Sequence, residues 1–71
     1  MKTEMGKIIV NGEMRECLLP CTVADLLKEL DLKPTQVVVE RNGEVLPKAR
    51  MASVLLHHGD SVEIILPVAG G

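Results

Sequence analysis

Phenylalanine, tyrosine and tryptophan are all missing from this 71-residue chain. Its core must therefore be built from Val, Leu, Ile, Met and Ala. Single-strand nucleic-acid binders stack bases on aromatic rings, so the absence of rings argues against nucleic acid as a partner. A net charge of −2 argues the same way. Proline and glycine are sparse and scattered, and 46% of residues are apolar, which is too many for a disordered chain. No apolar stretch approaches the ~20 residues of a membrane span. The opening segment, Met1 to Gly6, lacks the apolar centre of a signal peptide and is expected to be a frayed leader. Cysteine is limited to Cys17 and Cys21. The expectation is one small domain over residues 1–71, soluble, cytoplasmic and monomeric when free, with little stability to spare.

What is present reads in a clear order. Ile8-Ile9-Val10 is a β-type run closed by Asn11-Gly12, a strong hairpin signal because both residues accept positive φ. The return strand runs from about Met14 to Leu19, and Pro20 stops it. Thr22 is a good helix N-cap, with Asp25 in the first turn. Val23, Leu26, Leu27 and Leu30 then form one apolar stripe of a helix that Pro34 closes off. A second hairpin follows, Val37 to Arg41 and Glu44 to Leu46, around Asn42-Gly43. Lys48 to Leu56 has no clean period and reads as a crossover with one helical turn. His58-Gly59-Asp60 is a turn, and Ser61 to Leu66 is the last strand, with Val62, Ile64 and Leu66 on one face. One amphipathic helix must bury its stripe on a sheet. The fold class is α+β: a mixed four- to five-stranded sheet with one main helix across one face, the last strand lying parallel to the first in the middle.

Several residues invite chemistry. Cys17, Cys21, His57 and His58 suggest zinc, but adjacent histidines on an extended segment point to opposite sides. Small apolar thiols and solvated histidines are the plainer reading. A structural disulfide does not suit a reducing compartment. A Cys/His catalytic pair lacks an orienting third residue. Asp60 shapes its turn, and Glu63 belongs to the outer sheet surface. Strand alternation turns Ile9 and Ile65 outward on the helix-free face, where the reading expects them to adjoin as a partner-facing patch.

The sequence closes on Gly70-Gly71, preceded by Pro67-Val68-Ala69. Residues 67–71 are expected to form an extended arm with the Gly71 carboxylate at its tip. A frayed terminus is one reading of a glycine pair. The other is that the carboxylate is itself the reactive group, since glycine threads a narrow channel and lets another backbone approach.

Four internal pieces carry a resemblance: Ile8-Ile9-Val10-Asn11-Gly12-Glu13, Thr22-Val23-Ala24-Asp25-Leu26-Leu27, Val38 through Pro47, and Gly59 through Ile64. With Val68-Ala69-Gly70-Gly71, their order and spacing resemble the thiamine-pathway sulfur carriers, the ThiS family, over nearly the full length. Met51 departs from the tryptophan of many members, and Cys17 and Cys21 lie outside the pattern. The resemblance implies a ubiquitin-like β-grasp fold and a cosubstrate rather than an enzyme. It implies that a ubiquitin-activating-type adenylyltransferase spends ATP on the Gly71 carboxylate. Sulfur from a source such as a cysteine desulfurase then makes a thiocarboxylate, which thiazole synthase consumes. Gly70, Ala69 and Val68 would give access to the partner's site. No metal and no bound cofactor are implied. The small subunit of molybdopterin synthase shares the fold and the Gly-Gly tail and stays open, as does a ubiquitin-like protein modifier. A β-grasp interaction module is the plainest alternative.

Overall fold

Two Asn-Gly turns build the two hairpins of the sheet. The computed structural model describes residues 2–67. Strand β1 (Glu4–Val10) and strand β2 (Glu13–Leu19) meet at Asn11-Gly12, where φ is 50° and 81°. Strand β4 (Val38–Arg41) and strand β5 (Glu44–Leu46) meet at Asn42-Gly43, where φ is 51° and 86°. Both are two-residue loops of the kind that matches strand twist. Between the hairpins come β3 (Cys21–Thr22) and helix α1 (Val23–Glu29). After them come β6 (Leu55–Leu56) and β7 (Ser61–Ile65).

The main sheet has the order β2-β1-β7-β4-β5. Strand β7 is central and parallel to β1, as the element order predicts, and its other neighbour is β4, to which it is antiparallel. It joins two hairpins that share no other strand pairing among the described residues. No helix among the described residues is long and apolar enough to cross a membrane.

Helix α1 starts where the sequence says it should. The Thr22 hydroxyl accepts from the Asp25 N–H at 3.0 Å, and the Asp25 carboxylate accepts from the Thr22 N–H at 3.1 Å. This reciprocal box satisfies donors that the helix leaves open. Two more are met by the crossover: Val23 N–H donates to the Val54 carbonyl and Ala24 N–H to the Met51 carbonyl. The irregular crossover, with a 3-10 turn at Lys48–Arg50, is thus tied to the start of the helix. A short second sheet, β3 with β6, fastens the same corner and had no signal in the sequence.

The helix stops before Pro34. Asp31 takes φ 59°, Leu32 N–H donates to the Leu27 carbonyl, and Asp31 N–H donates to that of Lys28. These paired bonds form a Schellman cap, with aspartate in the left-handed position that glycine usually takes. Pro34 instead opens a separate 3-10 turn, Pro34–Gln36.

Two further expectations need correction. The leader reading of residues 1–6 gives way to a strand that begins at Glu4, because β2 runs on to Leu19 and requires a partner. Glu4, Met5 and Gly6 pair with Leu19, Leu18 and Cys17. A Cβ at Gly6 would stand 2.7 Å from the Leu19 side chain, so bare backbone lets the buried Leu19 pack there. The last strand ends at Ile65, and Leu66 is exposed rather than buried with Val62 and Ile64.

The core is aliphatic throughout. Ile8, Val39 and Val62 from the sheet meet Val23, Leu26 and Leu27 of α1 and Leu56 of β6, all fully buried. Leu30 packs against this cluster but is only partly buried. Met51 is 2% exposed and fills the space beneath the helix start. Truncating Leu27 to alanine should cost about 2–5 kcal/mol, against about 3–5 kcal/mol available to a domain this small. Urea unfolding should show a collapsed midpoint for Leu27→Ala. The exposed Val45→Ala should stay within about 0.5 kcal/mol of the parent.

Candidate functional site

Strand β7 leaves the sheet between β1 and β4, at the end marked by the Asn11-Gly12 turn. Its backbone pairing with β1 reaches only Val10 and Val62, plus a bond from Asn11 N–H to the Val62 carbonyl at 2.9 Å. Beyond that point the Asn11 side chain takes over. Its Oδ1 accepts from Ile64 N–H at 2.7 Å, and its Nδ2 donates to the Ile64 carbonyl at 3.2 Å. One side-chain amide therefore replaces one residue of the missing strand. On the other side β4 pairs through Val38 with Ile65. Leu66 and Pro67 then lead out of the sheet. The predicted arm residues Val68, Ala69, Gly70 and Gly71 lie outside the described residues.

The opposite end of β7 is held by Asn42, through one side-chain bond and one backbone bond. Asn42 Oδ1 accepts from Ser61 N–H at 2.9 Å, and Asn42 N–H donates to the Ser61 carbonyl at 2.7 Å. Asn42 Nδ2 donates to Asp60, whose other carboxylate oxygen accepts from His57 N–H at 2.9 Å. Asp60 is thus the turn-shaping residue that the sequence suggests. The roles of the two asparagine side chains were missed. The repeated Asn-Gly pair was their signal, read only as backbone turns.

The outward face of the sheet is apolar at both Ile9 and Ile65, which are 38% and 43% exposed. The expectation that they adjoin fails on register. Ile9 stands opposite Ser61, four residues before Ile65 along β7. At the usual strand rise that is about 13 Å. Ile9 pairs instead with exposed Met14, and Ile65 with exposed Val38. Glu63, opposite Glu40, lies between the two apolar pairs.

The thiols are placed for packing. Cys17 is buried on β2 and Cys21 half-buried on β3; neither is in a disulfide. Burial, reinforced by the Glu29 carboxylate, raises the Cys17 thiol, with Arg15 opposing in part. Burial, then the neighbouring Cys17, Asp25 and Glu29, pushes Cys21 up to about 11. Both are therefore protonated thiols at neutral pH, a poor state for a sulfur nucleophile. The histidines bond within the fold: His58 Nδ1 accepts from the Lys7 N–H of β1 at 3.0 Å, and the His57 backbone N–H is held by Asp60.

A model of the ThiS family matches residues 8–71, nearly the whole chain. The chain belongs to the ThiS family. It is similar to a thiazole synthase of Paramagnetospirillum magneticum, with 42% identity over 65 residues. That alignment takes in 92% of this chain but only 20% of the relative's length. The sulfur carrier protein ThiS of Bacillus subtilis is 42% identical over 50 residues, covering 70% of this chain and 76% of that one. The crystal structure of the thiamine biosynthesis protein ThiS from Geobacter metallireducens superposes with a TM-score of 0.80 at 31% identity, over 92% of this chain and 99% of that one. The fold is accordingly the ubiquitin-like β-grasp, and the ThiS family is one of sulfur carriers acting in thiamine biosynthesis.

The thiol environment has a consequence for stability. Cys21 ionises near 9.0 when unperturbed and near 11 in the fold. Its contribution to folding is fully present below pH 9.0 and is lost as pH rises towards 11, because only the unfolded chain releases the proton in that window. Thermal unfolding between those limits should show a falling midpoint. The slope should be shallower in Cys21→Ser; an unchanged slope would assign the fall to other groups.

Proposed function

We propose that this chain carries sulfur on the Gly71 carboxylate for thiazole formation in thiamine biosynthesis. The observation that carries the reading is the match to the ThiS family through Gly71, on a β-grasp fold whose central strand ends at Ile65, just ahead of the residues expected to form the arm. The state of the thiols supports it too, since protonated, packed cysteines are poorly suited to the task. In this reading the chain is a cosubstrate and supplies neither base nor metal.

The chemistry follows from what a carboxylate lacks. It is a weak electrophile at neutral pH. An adenylyltransferase partner joins it to the α-phosphate of ATP and releases pyrophosphate, giving an acyl-adenylate. The terminal sulfur of a persulfide, supplied by a cysteine desulfurase or similar source, attacks the acyl carbon and expels AMP. The product is an acyl disulfide, and a thiol that reduces its S–S bond, the one carried over from the persulfide, leaves the thiocarboxylate and is itself taken into a disulfide. That sulfur is nucleophilic yet protected from loss as free sulfide. Thiazole synthase is the consumer, a pairing consistent with the relative of that name. ATP is a reagent of the activating partner and is not bound by this chain. Docking of folded surfaces brings the tip of the arm to the reacting atoms, so proximity replaces a bimolecular encounter. Glycine at positions 70 and 71 removes the bulk that would block a narrow channel.

Incubation with the adenylyltransferase, ATP and a persulfide donor should raise the intact mass by the difference between sulfur and oxygen. Fragmentation should place the change on Gly71. Removing Gly71 should abolish loading and leave the unfolding midpoint unchanged, whereas Cys17→Ser with Cys21→Ser should still load. Sulfur found on either cysteine, or loading without Gly71, overturns the reading.

A further inference from the structure

The arm can place its tip only as well as its root is held. On the β1 side, Asn11 makes the bonds recorded to the Ile64 backbone among the described residues. Val10 is the last β1 residue in the ladder, and it stands opposite Val62. Ile64 lies just three residues before Pro67. The Asn11 amide is bidentate and part-buried, so it restrains both the N–H and the carbonyl of one peptide position. Asn42 supplies a matched comparison. It clasps the same strand through Ser61 at the far end, away from the exit.

We propose that Asn11 is a positioning residue for sulfur loading: its side-chain amide fixes the root of the arm by standing in for a strand residue beside Ile64. This rests on Gly71 being the loaded group. Asn11 does not touch the reacting atoms. It narrows the directions in which the backbone leaves the sheet, so that docking of the folded surface also docks the arm. Loss of the clasp leaves the docking surface intact and spreads the arm over unproductive placements. Turnover then falls while apparent affinity for the activating enzyme holds, the pattern expected when orientation rather than binding is lost.

The turn at Asn11 permits a clean test. Its φ of 50° suits asparagine or glycine, so Asn11→Gly deletes the amide without straining the backbone. Asn42→Gly does the same at φ 51°. Loading kinetics are measured with the adenylyltransferase, ATP and a persulfide donor, below the unfolding range of both variants. Amide hydrogen exchange is followed in parallel. Asn11→Gly should speed exchange at Ile64 and lower kcat by about tenfold with KM nearly unchanged. Asn42→Gly should speed exchange at Ser61 and load like the parent. Asn11→Asp keeps the acceptor for Ile64 N–H but loses the donor, so it should fall between parent and Asn11→Gly. It carries the same test if Asn11→Gly does not fold. Parent-like kcat in a folded Asn11 variant with faster Ile64 exchange overturns the positioning role alone. An equal kcat loss in Asn42→Gly also overturns it, by assigning the effect to general loosening of β7. A parent protein that takes up no sulfur overturns the carrier reading and this role with it.

Discussion

Two side-chain amides hold the central strand of this domain at its two ends. Strand β7 has five residues, yet among the described residues it is the only strand that links the β1–β2 hairpin to the β4–β5 hairpin. Asn11 bonds to Ile64 and Asn42 to Ser61, so the corner residue of each hairpin extends its own ladder onto β7. Each amide satisfies backbone groups where the neighbouring strand has already turned away. The same two residues accept the positive φ that the turns demand. Turn geometry and sheet assembly therefore rest on the same pair of residues. With β7 seated, Val62 and Ile64 face inward and close the sheet against Val23, Leu26 and Leu27 of the helix.

That arrangement divides the labour of the chain. Among the described residues the core contains no aromatic ring and no buried polar side chain, and its thiols are held protonated by burial and nearby carboxylates. Under the proposed function, reactivity resides in the arm beyond Pro67, and the fold serves as a handle with a defined exit. The outward sheet face fits a handle as well, with apolar pairs at Ile9–Met14 and Ile65–Val38 set about 13 Å apart by register and strand rise. A partner surface meeting this face would find two apolar contacts with the Glu63–Glu40 pair between them, rather than one continuous patch.

Local signals made much of this legible. Asn-Gly pairs, the Thr22 N-cap with Asp25 in the first turn, and the stripe Val23, Leu26, Leu27 each act within a few residues, and each appears in the fold as read. Across long separations the parallel pairing of the last strand with the first was legible from the element order, but other distant contacts were not. Strand β1 begins at Glu4 only because Leu18 and Leu19 arrive opposite its start. The β3–β6 pair brings Cys21 to Leu56 without any run of β-type residues to announce it. The helix ends at Glu29 and is capped where Asp31, a non-glycine residue, adopts φ 59°, which propensity alone does not favour. Ile9 and Ile65 share a face as alternation requires, but their separation depends on the parallel register of β1 and β7, which sequence periodicity does not contain. Of the site, the arm and its glycines are expectations from composition and resemblance, and residues 68–71 lie outside the described residues. The Asn11 amide that bonds to Ile64 was visible only as a turn residue.

The most direct test of the account is made in the cell. Deletion of this gene is scored on minimal medium with and without the thiazole precursor of thiamine, alongside molybdoenzyme activity. The account predicts growth only when thiazole is supplied, with molybdoenzyme activity intact. Thiazole-independent growth accompanied by loss of molybdoenzyme activity would contradict it.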